Sequence, residues 1–136
     1  MKRRQLDRGQ SLLEFAIILP VLLIIVAGVL DIGRLYFAYV AVTDAASEGA
    51  AYAATHPTNE TLILARARDA SNIAADESEI EFQCPTCPTV GSGDPVTVTV
   101  TYSFTLATPV INAMVPGGVI PLRAVATEAI LGGALE

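Results

Sequence analysis

"RGQSLLEFAIILPVLLIIVAGVLDIGRL", residues 8–35, carries a single charged side chain, Glu14, between Arg8 and Asp31. The run Phe15 to Leu30 is sixteen residues without a charge. Counted as helix, Gln10 to Leu30 spans about 31 Å at 1.5 Å per residue, enough to cross the hydrocarbon core of a bilayer. Lys2, Arg3, Arg4 and Arg8 precede the run, and only Arg34 follows it closely. The positive-inside bias therefore predicts a cytoplasmic N-terminus, with everything after about Asp31 outside. A secretory signal peptide shares the basic start but has a shorter apolar core ending in a small-residue cleavage site. Here the helical pattern continues through Asp31.

Glu14 is costly in that setting. A carboxylate at the bilayer centre is disfavoured by about 2.5–3.5 kcal/mol, so an acid in such a helix is expected to have a function. Pro20 removes the backbone bond to the Ala16 carbonyl and is expected to kink or loosen the helix. Asp31 and Arg34, three residues apart, mark the outer membrane boundary and are expected to pair weakly with each other.

The helix is predicted to run on outside the membrane. Ile32, Leu35, Tyr36, Tyr39, Thr43, Ala46 and Ala50 recur at steps of three and four, which predicts one apolar or small stripe. A second register, Ala41, Ala45, Gly49 and Ala53, forms a ridge of small side chains along which another backbone can approach closely. Two occupants fit that ridge: the chain's own globular part, or neighbouring copies in a filament. His56 and Pro57 close the helix after about Thr55, because the residue before a proline is pushed out of the helical region.

The rest is read as a small head. Thr58 or Asn59 can cap a helix from about Asn59 to Ala75, with Ile63, Ala67, Ala70 and Ala74 on one face. "EIEFQ" (79–83) alternates, and "VTVTVTYSF" (96–104) is the clearest strand. Val96, Val98, Val100, Tyr102 and Phe104 point one way, Thr97, Thr99, Thr101 and Ser103 the other, so one face is buried and one wet. "TPVINAMV" (108–115) is an apolar turn leading to a last strand near Pro121 to Leu131. The expected class is α+β: a long, partly transmembrane N-terminal helix, then a head with one helix and a roughly three-stranded antiparallel sheet. Its parts are a basic leader (1–9), a transmembrane helix (10–30), the extension of that helix (31–56) and the exported head (57–136).

Chemistry is sparse. The formal charge of −6 argues against a nucleic-acid partner. No nucleophile has a base in evident reach, and "GSGDP" (91–95) is a turn rather than a phosphate loop. "DESEIE" (76–81) is a solvated acidic connection rather than a calcium site. Neither an enzyme, a cofactor nor a small-molecule substrate is expected. Cys84 and Cys87 lie outside the membrane, where disulfides persist, and a structural disulfide is expected although the loop it closes is tiny. A zinc site would need two further ligands, and His56 is the only histidine.

The segment before the helix resembles the type IV prepilin signal. The basic leader ends at Gly9, and a cut there makes Gln10 the first residue and Glu14 the fifth, followed by Phe15 and the apolar helix. The resemblance implies that prepilin peptidase removes Met1 to Gly9 and leaves the helix attached. Processing creates an amine at Gln10, one helical turn from Glu14, and a paired charge is tolerable where a lone one is not. The amine of an incoming subunit can instead meet the glutamate of its neighbour. Without processing, Glu14 sits at the cytoplasmic interface of an uncleaved anchor.

A longer stretch, residues 9–54, is similar to the TadE-like branch of the pseudopilins, small subunits of tight-adherence (Tad) pilus and secretion systems. Gly9, Glu14, Phe15, Pro20, Asp31, Gly33, Arg34, Glu48, Gly49 and Ala50 carry the similarity. Ala51 stands where the family often has arginine. The resemblance implies a membrane-inserted minor pilin whose partners are prepilin peptidase, other pilins and the Tad assembly platform. It also implies a location in the inner membrane with the head outside, or in an extracellular pilus. Two other classes compete: an uncleaved, signal-anchored surface binding module, and a tethered thiol redox domain.

Overall fold

The computed structural model describes residues 4–71, 80–83, 87 and 92–131. Helix α1, Arg4–Ala53, is 50 residues long, about 75 Å at 1.5 Å per residue. It begins inside the basic leader, so residues 4–9 continue the helix without a break. Pro20 lies within it, and helix continues on both sides. Its end falls at Ala53, where the Thr55 and His56 amides both return to the Tyr52 carbonyl and the His56 ring stacks on Tyr52 at 4.7 Å. Pro57 then prevents further helix.

Helix α2, Glu60–Ser71, is capped by Asn59, whose side-chain oxygen accepts from the Leu62 amide at 3.2 Å. That satisfies one of the free donors of the first turn. Ile63, Ala67 and Ser71 form its buried face. The helix was expected to run to Ala75; 72–79, Ala74 included, lie outside the described residues.

The sheet is dominated by two long antiparallel strands, β2 (Pro95–Thr105) and β3 (Val119–Ala129), in register from Pro95 opposite Ala129 to Thr105 opposite Val119. A short strand, β1 (Ile80–Gln83), pairs antiparallel on the other side of β2, giving the order β1-β2-β3. The apolar face of β2 is as the alternation predicts: Val96, Val98 and Val100 are fully buried, and Tyr102 and Phe104 nearly so. The opposite face is not simply wet, because Thr99 is buried in the middle of a sheet paired on both sides at that level. The last strand starts at Val119, two residues earlier than expected, and pairs along its whole length with β2.

Between β2 and β3 lie a one-turn helix, α3 (Pro109–Asn112), and a 3-10 turn at Pro116–Gly118. Gly117 and Gly118 both have positive φ, which side chains with a Cβ rarely adopt. At Gly118 a Cβ would also collide with the Asn112 side-chain oxygen.

The sheet and α2 pack on the distal half of α1. Ala38, Val42, Ala45, Ala46, Ala50 and Ala53 are buried there against Ile63 and the valines of β2. At the far end the Leu131 amide donates to the Ala54 carbonyl at 3.0 Å. The small-residue ridge thus meets the chain's own head: Ala41, Ala45 and Ala53 are buried. A Cβ at Gly49 would stand 3.1 Å from both Ala67 Cβ and Val98 Cγ1. Most of the other stripe is on the outside. Ile32, Tyr36 and Tyr39 are 67%, 69% and 52% exposed, and of that set Leu35 packs on the core while Ala46 and Ala50 belong to it. The face with small side chains is buried because it allows helix and sheet to approach most closely, and the bulky face is left out.

Candidate functional site

Among the described residues, the proximal half of α1 packs against the rest of the chain only at its end, where Gly28 meets Ile111. From Leu12 to Leu30 its large apolar side chains are mostly exposed, Phe15 at 58% and Leu30 at 65% among them. The stretch Gly9–Ala53 includes a window long and apolar enough to cross a membrane, and almost none of that window is buried in the protein. A helix that is apolar all round needs an apolar surrounding. The chain has the build of a single-pass membrane protein with a small head on the distal part of its helix.

On this bare helix the Gln10 side-chain amide donates to Glu14 Oε1 at 3.3 Å, one turn away. The carboxylate of the unprocessed chain thus has a neutral partner at the position where cleavage would create a charged one. Gly9 and Phe15 are exposed beside them, and no described residue of the head covers them.

A second set of polar groups lies where head and bare helix meet. Asp31 is only 3% exposed. Its carboxylate accepts from the Ala107 amide at 3.2 Å and the Thr108 amide at 2.9 Å, and Arg34 donates to it at 3.2 Å. The Arg34 guanidinium, half in solvent, lies 5.4 Å from the centre of the Phe104 ring. The expected Asp31–Arg34 pair is present, but the principal partners of Asp31 are 76 and 77 residues downstream. Asp31 is a latch that fixes the turn entering α3 onto α1. Its only sequence signal is an acid at the end of an apolar run; nothing local identifies Ala107 and Thr108 as partners.

The hydrogen bonds from Thr108, then those from Ala107 and Arg34, hold the Asp31 carboxyl below its ordinary range despite an opposing effect of burial. A folded pKa below the unfolded one stabilises the junction above the unfolded pKa, and the contribution is lost as the pH falls through the folded value. The latch is therefore intact near neutrality and opens in acid, below about pH 4. The Ala107 and Thr108 amide resonances are expected to titrate together with a midpoint below that of free aspartate. Asp31→Asn should abolish the transition, and amide shifts independent of pH in the unaltered chain would refute the assignment.

Two grooves flank this latch. One, of about 500 Å³, is lined by Val29, Leu30, Arg34, Phe37, Tyr102 and Phe104. The other, about 260 Å³, lies between Gly28, Ile32, Leu35, Leu106, Ile111 and Val115. Both are mainly apolar, and among the described residues no group of His, Cys, Asp and Glu is placed to hold a metal ion. Cys84 lies outside the described residues. Cys87 is buried in the core cluster and its sulfur is in a disulfide. Since the chain has two cysteines, thiol alkylation of the denatured chain is expected to add mass only after reduction. Adducts before reduction would rule out a Cys84–Cys87 bond.

A bare apolar helix with a compact α+β head latched to its distal part is the architecture of a single-pass membrane protein. Residues 9–51, about a third of the chain, match the family model for TadE-like protein. The matched segment runs from Gly9 through the Asp31 latch to the Gly49 contact and does not extend into the rest of the head. No curated protein and no solved structure matches the chain.

Proposed function

We propose that this protein is a non-enzymatic minor pilin of a Tad-type pilus or secretion system, processed by prepilin peptidase after Gly9. The observation that carries the proposal is the Gly9–Glu14 spacing on a fully accessible stretch of helix, within the segment matching the TadE-like family. Cleavage on the cytoplasmic side leaves Gln10 as a charged amine one turn from Glu14. The amine pairs with that carboxylate in its own chain or with the glutamate of a neighbouring subunit, which sets the axial register. The head then lies outside the cytoplasm, and the bare helix joins those of other pilins at the assembly platform. A head of this size favours a minor role over that of an abundant fibre subunit.

The test is the intact mass of the chain extracted from its host's membranes, with and without the peptidase. A chain beginning at Gln10 only when the peptidase is present is the expected result, and Glu14→Gln should then impair assembly while cleavage continues. A chain retaining residues 1–9 in both cases overturns the proposal. One observation favours that second outcome, an uncleaved anchor displaying a surface module: Gln10 already donates to Glu14 without processing.

A further inference from the structure

We propose that the segment 106–118 is a second membrane contact, lying in the outer lipid interface beside α1 with Met114 inserted among the lipids. The inference rests on α1 spanning the bilayer, as read above, and concerns what the head does at the point where the helix emerges.

The first observation is depth. A Cβ at Gly28 would stand 3.0 Å from Ile111 Cδ1, so the segment reaches a level three residues to the membrane side of Asp31, about 4.5 Å along the axis. At that level the helix itself presents Val29 and Leu30, each more than 60% exposed. The segment is thus continuous with the lipid-facing surface of α1.

The second observation is composition. No charged residue occurs between Asp94 and Arg123. Met114, at the tip, is 80% exposed. An unbranched thioether adapts readily to an irregular apolar surrounding.

The third is the backbone. Polar main-chain groups entering an apolar medium are costly unless bonded internally, and seven of the segment's eleven amides are so bonded. The amides of residues 112 to 115 and of Gly118 are bonded within the segment. Those of Ala107 and Thr108 go to Asp31, and Pro109 and Pro116 have none to satisfy.

The order of groups along α1 agrees. Above the level of Ile111 come the Asp31–Arg34 pair and then exposed Tyr36 and Tyr39, and the amphipathic ring of tyrosine concentrates at the headgroup level. A lipid interface accounts for an apolar tip, a charged pair and two tyrosines in that sequence.

The chain has no tryptophan, so single reporters can be introduced one at a time into the full chain, reconstituted in vesicles of phosphatidylcholine and phosphatidylglycerol. Met114→Trp is expected to emit at shorter wavelength than a water-exposed indole, and to lose most of its emission to lipids brominated near the top of the acyl chain. Val125→Trp, six residues up β3 from Val119 and so about 20 Å further from the membrane, should behave as an indole in water. Leu23→Trp, in the middle of the span, should be quenched by deeply brominated lipids. Met114→Trp emission that matches Val125→Trp, with Leu23→Trp quenched, overturns the inference while leaving the spanning helix intact. A blue-shifted Met114→Trp that lipid bromines do not quench, and that strengthens with protein-to-lipid ratio, assigns the tip to a second copy and also overturns it. An unquenched Leu23→Trp refutes the spanning helix, and the interfacial contact falls with it.

Discussion

Ile63→Ala is expected to destabilise the head by about 2–5 kcal/mol, the range for removing a large aliphatic side chain from a packed core. Ile63 is fully buried and, among the described residues, the largest of the fully buried side chains. Its surroundings are mostly alanine and valine: Ala46, Ala50 and Ala53 of α1 and the inward valines of β2 belong to the same cluster. Alanine and valine side chains cannot extend into the space left, so the cavity persists. A loss of that size is large against the total of about 5–15 kcal/mol typical of a native domain. The measurement is denaturant unfolding of the detergent-solubilised chain, followed through the near-ultraviolet signal of tyrosine, since Tyr102 is buried in the same core. An unchanged midpoint would mean that α2 does not hold the head to α1.

Gly49→Leu is expected to cost about 3 kcal/mol, the upper part of the range for overpacking a filled core, and to separate α1 from the head. The clash begins with the first carbon: Ala67 on α2 and Val98 on β2 are each 3.1 Å from where a Cβ would stand. Both are fully buried, so neither can turn aside into solvent. Ala51→Leu, two residues on at an exposed position, is the control and should stay within about 0.5 kcal/mol of the unaltered chain. Limited proteolysis of the head should distinguish them, with rapid cleavage only in Gly49→Leu. Equal resistance in the two variants would show that the packing of α2 and β2 across Gly49 is not what fixes the head.

These two positions also define what remains available for assembly. The small-residue ridge is occupied by the chain's own α2 and sheet, so it offers no seat to a neighbouring subunit while the head is folded. Among the described residues, α1 leaves open the bare helix from Leu12 to Leu30 and the outward face with Ile32, Tyr36 and Tyr39. In the proposed assembly, contacts between subunits that spare the head fall on these surfaces. In the proposed pathway the leader junction at Gly9 precedes them, since it decides whether the helix carries an amine opposite Glu14.

Much of this architecture is determined by residues close together in the chain. The apolar run from Phe15 to Leu30 dictates a long bare helix, the strict alternation of 96–104 dictates a strand with one buried face, and Asn59 dictates where α2 starts. Each signal lies within a few residues of its effect, because helix and strand periodicity and capping are short-range. The spacing of Gly9 and Glu14 is local in the same way. Tertiary structure alone decided which side of α1 is covered. Both helical stripes are regular, and the choice fell to the alanine and glycine ridge because close approach of β2 and α2 requires small side chains there. It alone assigned Asp31 to Ala107 and Thr108, across 76 and 77 residues. It alone brought the uncharged segment 106–118 down beside Gly28, since that placement depends on a carboxylate meeting two amides it could not have selected by proximity in sequence.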